Sequence, residues 1–165
     1  MSSRRTLALD VGDRRIGLAI TDALGFTAQP LFTVHRTTMR ADLKAIGRFI
    51  RKHEVATLVV GRPLHADGAP SPQSVKTEAF AAELFAEHPA LAHHLIDERL
   101  TTKEAHVLLD AGGGRHRAAD RISRKEMIDQ VAATLILEAF LSLQNGPALL
   151  PDPDGEVEDD RQDVR

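Results

Sequence analysis

The chain has 165 residues, 42% apolar and 27% charged, with no cysteine and a formal net charge of −3. Those values allow one globular domain with a full hydrophobic core, and they exclude a disulfide framework or a thiolate metal site. The charge is uneven: residues 151–165 carry seven acids against two arginines, a net of −5, which leaves +2 on residues 1–150.

A mildly basic body permits nucleic-acid binding without demanding it. The tail, residues 146–165, is expected to be acidic and disordered, outside a single domain over 1–145. No apolar run reaches the roughly 18 residues of a membrane span. The opening MSSRRTLALD runs straight into a strand pattern and lacks signal-peptide features, so a cytoplasmic protein with no membrane partner is expected.

Residues 6–11 and 15–21 are β-like runs joined by Gly12-Asp13-Arg14, which predicts a hairpin. A third run, 27–34, contains Pro30 and fits an edge strand. Leu43, Ile46, Gly47 and Ile50 fall at helical spacing, predicting a helix over 39–53. TLVVG at 57–61 reads as a buried strand. Ser71-Pro72 then supplies a capping residue and a first-turn proline, so a helix begins there and continues through Val75, Ala79, Ala82 and Ala86.

HHLID at 93–97 is the next strand. Thr101 and Glu104 have capping-box spacing, predicting a short helix over 102–111 that Gly112 to Gly114 stop. The stretch 112–125 holds five Lys/Arg against one Asp, which is either a solvated loop or a phosphate-backbone contact. The last helix, 124–144, is apolar almost all round and should be substantially buried. Three strands followed by alternating helices and strands predict an α/β fold: one mixed sheet, an antiparallel meander followed by parallel strands, flanked by helices.

Against this frame three acids stand out. Asp10 shares a strand face with Ala8, Glu98 follows the HHLID strand, and Asp129 tops the apolar stripe Ala132, Ala133, Ile136 and Phe140. Each has an ordinary explanation. Asp10 would cap a turn, Glu98 would pair with Arg99 or sit in solvent, and Asp129 would answer the helix dipole. Taken together, acids in such settings are the raw material of a magnesium or manganese site. The eight histidines show no HExxH or similar pairing, so zinc is not expected.

LALDVGDRRIGLAITD, LVVGRPLHADG, LIDERLTT and RKEMIDQVAATLILEAFL, in this order and spacing, resemble the YqgF/RuvX family of ribonuclease H-like nucleases. Its members are described as Holliday junction resolvases and as nucleases that process pre-16S rRNA. The resemblance covers about residues 5–144. It implies a ribonuclease H-like fold with a five-stranded mixed sheet, and Asp10, Glu98 and Asp129 as the catalytic acids that bind Mg2+ or Mn2+ in a two-metal hydrolysis. It also implies nucleic-acid contacts from Arg14, Arg15, Arg99, Arg124 and Lys125.

The second block commonly reads GLPLNMDG and departs here at Arg62, His65 and Ala66. DVGDRRIG is also similar to the phosphate-binding hairpin of actin-like ATPases, which need two such domains where this chain has length for one. A nucleic-acid-binding protein without catalysis is the other alternative. Structured RNA and branched DNA both stand as substrates, the first served by a monomer, the second calling for a homodimer with two sites.

Overall fold

A computed structural model describes residues 4–101 and 123–146 of the chain. The helix expected at 102–111, most of the basic stretch at 112–125 and the acidic tail lie outside these residues.

Strands β1 (Thr6–Val11) and β2 (Arg15–Thr21) form the hairpin that their alternation predicts, with Asp10 opposite Gly17. The Gly12 N–H donates to the Arg15 carbonyl at 2.9 Å and closes the turn. Strand β3 (Ala28–His35) completes the meander at the sheet edge. Pro30, which has no N–H for a ladder, lies beside a register shift in the facing strand between Leu18 and Ala19.

Helix α1 (Met39–Lys52) starts where the Thr38 hydroxyl accepts from the Ala41 N–H. Strands β4 (Thr57–Arg62) and β5 (Ala92–Asp97) are parallel neighbours joined through helix α2 (Pro72–Glu87), and β4 also runs parallel to β1. The sheet order is therefore β3-β2-β1-β4-β5, antiparallel on one side and parallel on the other. A 3-10 turn, Glu98–Leu100, follows β5. Helix α3 (Arg124–Asn145) opens with a capping box between Ser123 and Glu126.

The sheet is covered on both faces. Leu7, Leu9, Leu18, Leu58 and Val60 bury one face together with Ile46 of α1 and Phe80 and Leu84 of α2. The other face offers Ala8, Ala19 and Val59, and these small side chains admit Ala133, Ile136, Leu137 and Phe140 of α3. Close approach of a helix needs short side chains beneath it, and that shortness places the end of α3 beside β1 and β2.

Helix α2 covers the span expected of it, through Ala86. Val75, Ala79, Ala82 and Ala86 are exposed, and Val75 is 59% open to solvent. The buried stripe is Ser74, Thr77, Phe80, Ala81 and Leu84. Phe80 and Leu84 each remove far more apolar surface from water than an alanine does, so they determine which way the helix turns.

His93 and His94 alternate across β5. His93 stacks on Phe85 with ring centroids 4.4 Å apart, and His94 lies against Phe140 at 4.9 Å. Among the described residues no helix is long and apolar enough to cross a membrane.

Candidate active site

The three parallel strands β1, β4 and β5 all end on one side of the sheet, the place where open α/β sheets form their binding crevice. Asp10 is the penultimate residue of β1, half-buried on the face that α3 covers. Glu98 is the first residue beyond β5. Asp97 precedes it and caps the 3-10 turn, its carboxylate accepting from the Arg99 N–H at 2.9 Å.

That turn folds the Glu98 side chain back over β4. A Cβ added at Gly61 would lie 2.7 Å from Glu98 Oε1, so the glycine is the floor on which the carboxyl rests. There it meets Asp10. Burial, and after it the negative charge of Asp10 and a side-chain hydrogen bond to it, push the Glu98 carboxyl up to about 7; Asp97 adds a smaller push. Two acids 88 residues apart are thus in contact, and Glu98 holds its proton well above the ordinary carboxylate range.

Asp129 approaches from the other side. Its carbonyl oxygen would lie 2.0 Å from a Cβ at Gly17, the residue paired with Asp10, so only glycine lets α3 descend there. Helix α3 begins at Arg124, which puts Asp129 in the second turn, where the dipole of the helix end no longer accounts for it. Its carboxylate accepts from Arg15 Nε at 2.6 Å, with 19% of the side chain exposed. Among the described residues no three acid or histidine side chains converge as a ready-made metal cage. Asp10 and Glu98 are in contact, and Asp129 is engaged by Arg15.

The basic residues singled out in the sequence divide into two groups. Arg14 is exposed at the tip of the hairpin, and Arg124 and Lys125 are exposed in the first turn of α3. Arg15 and Arg99 are engaged with acids. Arg99 grips both Asp97 carboxylate oxygens, through Nε at 2.9 and 3.0 Å and Nη2 at 2.5 Å, and reaches the Ala66 carbonyl at 3.3 Å. It therefore pairs with Asp97 and not with Glu98, and Asp97 holds the guanidinium pKa above its usual value.

Arg36 is a structural partner that sequence reasoning missed. It donates to the Gly12 carbonyl at 2.8 Å and to the buried Asp42 at 3.1 Å, and its guanidinium lies 5.1 Å from the Phe80 ring centroid. It ties the hairpin behind Asp10 to the start of α1. Nothing periodic marks such a residue, because its partners come from three separate elements. Gln73 of α2 adds a second tie, donating to the Val11 carbonyl at 3.1 Å. Arg62, one of the departures in the second block, forms an ion pair with Glu78 of α2. At the head of α3, His35 bonds Glu126 at 2.5 Å; with the Ser123 N–H, it draws that carboxyl down to about 2.

The chain is similar to known proteins over most of its length. A family model described as "RuvX: Holliday junction resolvase" matches residues 4–143. A protein of Moorella thermoacetica named "Putative pre-16S rRNA nuclease" is 46% identical over 145 residues, spanning 86% of this chain and 99% of its own. A Myxococcus xanthus protein of the same name is 42% identical over 144 residues, 87% of this chain and 91% of its own. Among solved structures, the chain is similar to T. thermophilus RuvC in complex with Holliday junction substrate, at a TM-score of 0.50 and 13% identity. That likeness covers 87% of this chain and 96% of the other and is one of fold, ribonuclease H-like.

Proposed function

Because the chain belongs to the RuvX family, we propose that it is a metal-dependent nuclease that hydrolyses phosphodiester bonds in precursor 16S ribosomal RNA, in the cytoplasm, with Asp10, Glu98 and Asp129 as its acidic residues. The observation that carries the reading is the contact between Asp10 and Glu98, in which a carboxyl keeps its proton up to about pH 7. Acids pressed together at this cost form a site that gains from a cation. Their donors are hard oxygens, with no cysteine in the chain, and they suit magnesium or manganese better than zinc.

Asp10 and Glu98 would hold the ion, and Asp129 would complete the shell as the ion competes with Arg15 for its charge. When bound, the metal supplies an activated water and neutralises charge on the leaving oxygen, alone or as one of a pair. The chain's own residues do the positioning. Gly61 and the turn after β5 aim Glu98, Gly17 brings α3 down on β2, and Arg15 keeps Asp129 at the crevice. Arg14, Arg124 and Lys125 lie exposed near that end of the sheet and would take the phosphates flanking the scissile bond.

The test is cleavage of a precursor 16S rRNA fragment and of a four-way DNA junction by wild type and Asp10→Asn, with magnesium or manganese. We expect the wild type to cut the RNA, and the folded Asp10→Asn protein to lose at least a hundredfold in rate. Cutting that survives the substitution would sink the assignment of the site. Junction resolution is the second reading, favoured by the description of the matching family. It is the better one if the junction is cut symmetrically and the RNA is not.

A further inference from the structure

Helix α1 carries Arg40, Lys44, Arg48 and Lys52, all exposed and each four residues from the next. A step of four residues advances about 6 Å along the axis and turns only about 40° round it, so the four cations form one continuous ridge that winds gently round the helix. The only acid of the helix, Asp42, is buried and paired with Arg36. Among the described residues no ion pair engages the four ridge cations.

A second observation lies directly beside the ridge. Between α1 and the edge strand β3 runs a groove of about 410 Å³, lined by Phe32, Val34, Ala45 and Phe49 with Arg48 and Lys52 on its rim. Phe32 is 49% exposed, and its ring centroid lies 5.2 Å from that of Phe49. An aromatic ring left open next to a row of cations suits a polymer with a charged backbone and flat bases.

We propose that this face binds a single-stranded segment of nucleic acid, with phosphates along Arg40, Lys44, Arg48 and Lys52 and a base against Phe32. The proposal rests on the nuclease reading for the class of polymer. A single strand fits better than a duplex, whose bases are already stacked. It also fits better than an acidic peptide, which makes less use of an open aromatic face. The ridge starts at the right place. Arg36, just ahead of α1, bonds the Gly12 carbonyl, so Arg40 stands at the hairpin end and the row leads away from Asp10. A strand leaving the crevice and passing round the hairpin end onto the α1 face would be gripped along its length there, giving a preference for substrates with an unpaired extension.

The experiment measures binding of the full chain, in chelator so that nothing is cut, to a labelled 15-nucleotide single-stranded RNA, a blunt RNA duplex of that length and a polyglutamate peptide, across a salt series. Replacing the four ridge residues by Gln should flatten the single-strand log–log salt slope by about 3, at roughly 0.7 per phosphate contact. Should that variant misfold by circular dichroism, Arg48→Gln with Lys52→Gln should flatten the slope by about 1.4. Phe32→Ala should weaken single-strand binding by about 5- to 150-fold, from the range for one stacked base, and leave the slope unchanged.

An unchanged slope in folded ridge variants overturns the proposal. So does wild-type binding that favours the duplex, or the peptide, over the single strand. Because cleavage plays no part in this measurement, failure here leaves the Asp10→Asn test standing, and failure there leaves this one standing.

Discussion

At the scale of single residues, the most consequential interaction is the proton that Glu98 keeps beside Asp10. A carboxyl whose pKa rises from the ordinary 4.5 to about 7 on folding binds a proton that the unfolded chain releases. Its favourable contribution is complete below about pH 4.5 and is lost as the pH climbs through 7. In chelator, the unfolding free energy from urea titration should therefore fall by about 2 kcal/mol between pH 5 and pH 8, discounted for partial exposure. Glu98→Gln should remove most of that fall, and magnesium or manganese should stabilise the wild type more at pH 8 than at pH 5, because the ion displaces the proton. A fall of the same size in Glu98→Gln would move the titration to another group. Arg36 gives a contrasting case, since its contacts are structural. Arg36→Ala strands the buried Asp42 and should cost about 3–5 kcal/mol in the same titration.

At the scale of elements, the site depends on how closely α3 lies on the sheet. Gly17 and Gly61 are flat places under a helix and a carboxyl, and adding one methyl at Gly17 puts it 2.0 Å from the Asp129 carbonyl oxygen. Gly17→Ala should destabilise the protein by about 1–3 kcal/mol through overpacking. Moving Asp129 by even an ångström should also lower the cleavage rate by about a hundredfold. The matched control is a small substitution at exposed Ala82 of α2, which should leave both quantities almost unchanged. Equal effects of the two would mean that α3 tolerates displacement. Element boundaries were largely legible in the sequence because the signals are local: apolar spacing marked α1 and α3, and Ser71 starts α2 with its own hydroxyl. The buried face of α2 was not legible, because it depends on which side chains the sheet has room for.

At the scale of the whole molecule, the antiparallel meander and the parallel strands form one five-stranded sheet, so Asp10 and Glu98 meet at the same edge. Among the described residues the fold brings one such pair of acids together, and a site built on it would be single in a monomer. At concentrations where sedimentation shows a monomer, the protein should cut the precursor RNA and fail to resolve a four-way junction, which needs two coordinated cuts. Symmetric junction cutting by a monomer would contradict this. The sequence alone determined the order of the described strands and helices, the Ser71 cap, and the three acids as anomalies worth explaining, because periodicity and capping act over a few residues. Tertiary structure alone decided that Glu98 turns to Asp10 and not to Arg99, that Arg15 holds Asp129, that Arg36 braces the hairpin, and that the α1 ridge borders Phe32. Those facts are distances between residues far apart in the chain, and they arise only when the sheet is assembled and α3 settles on its small side chains.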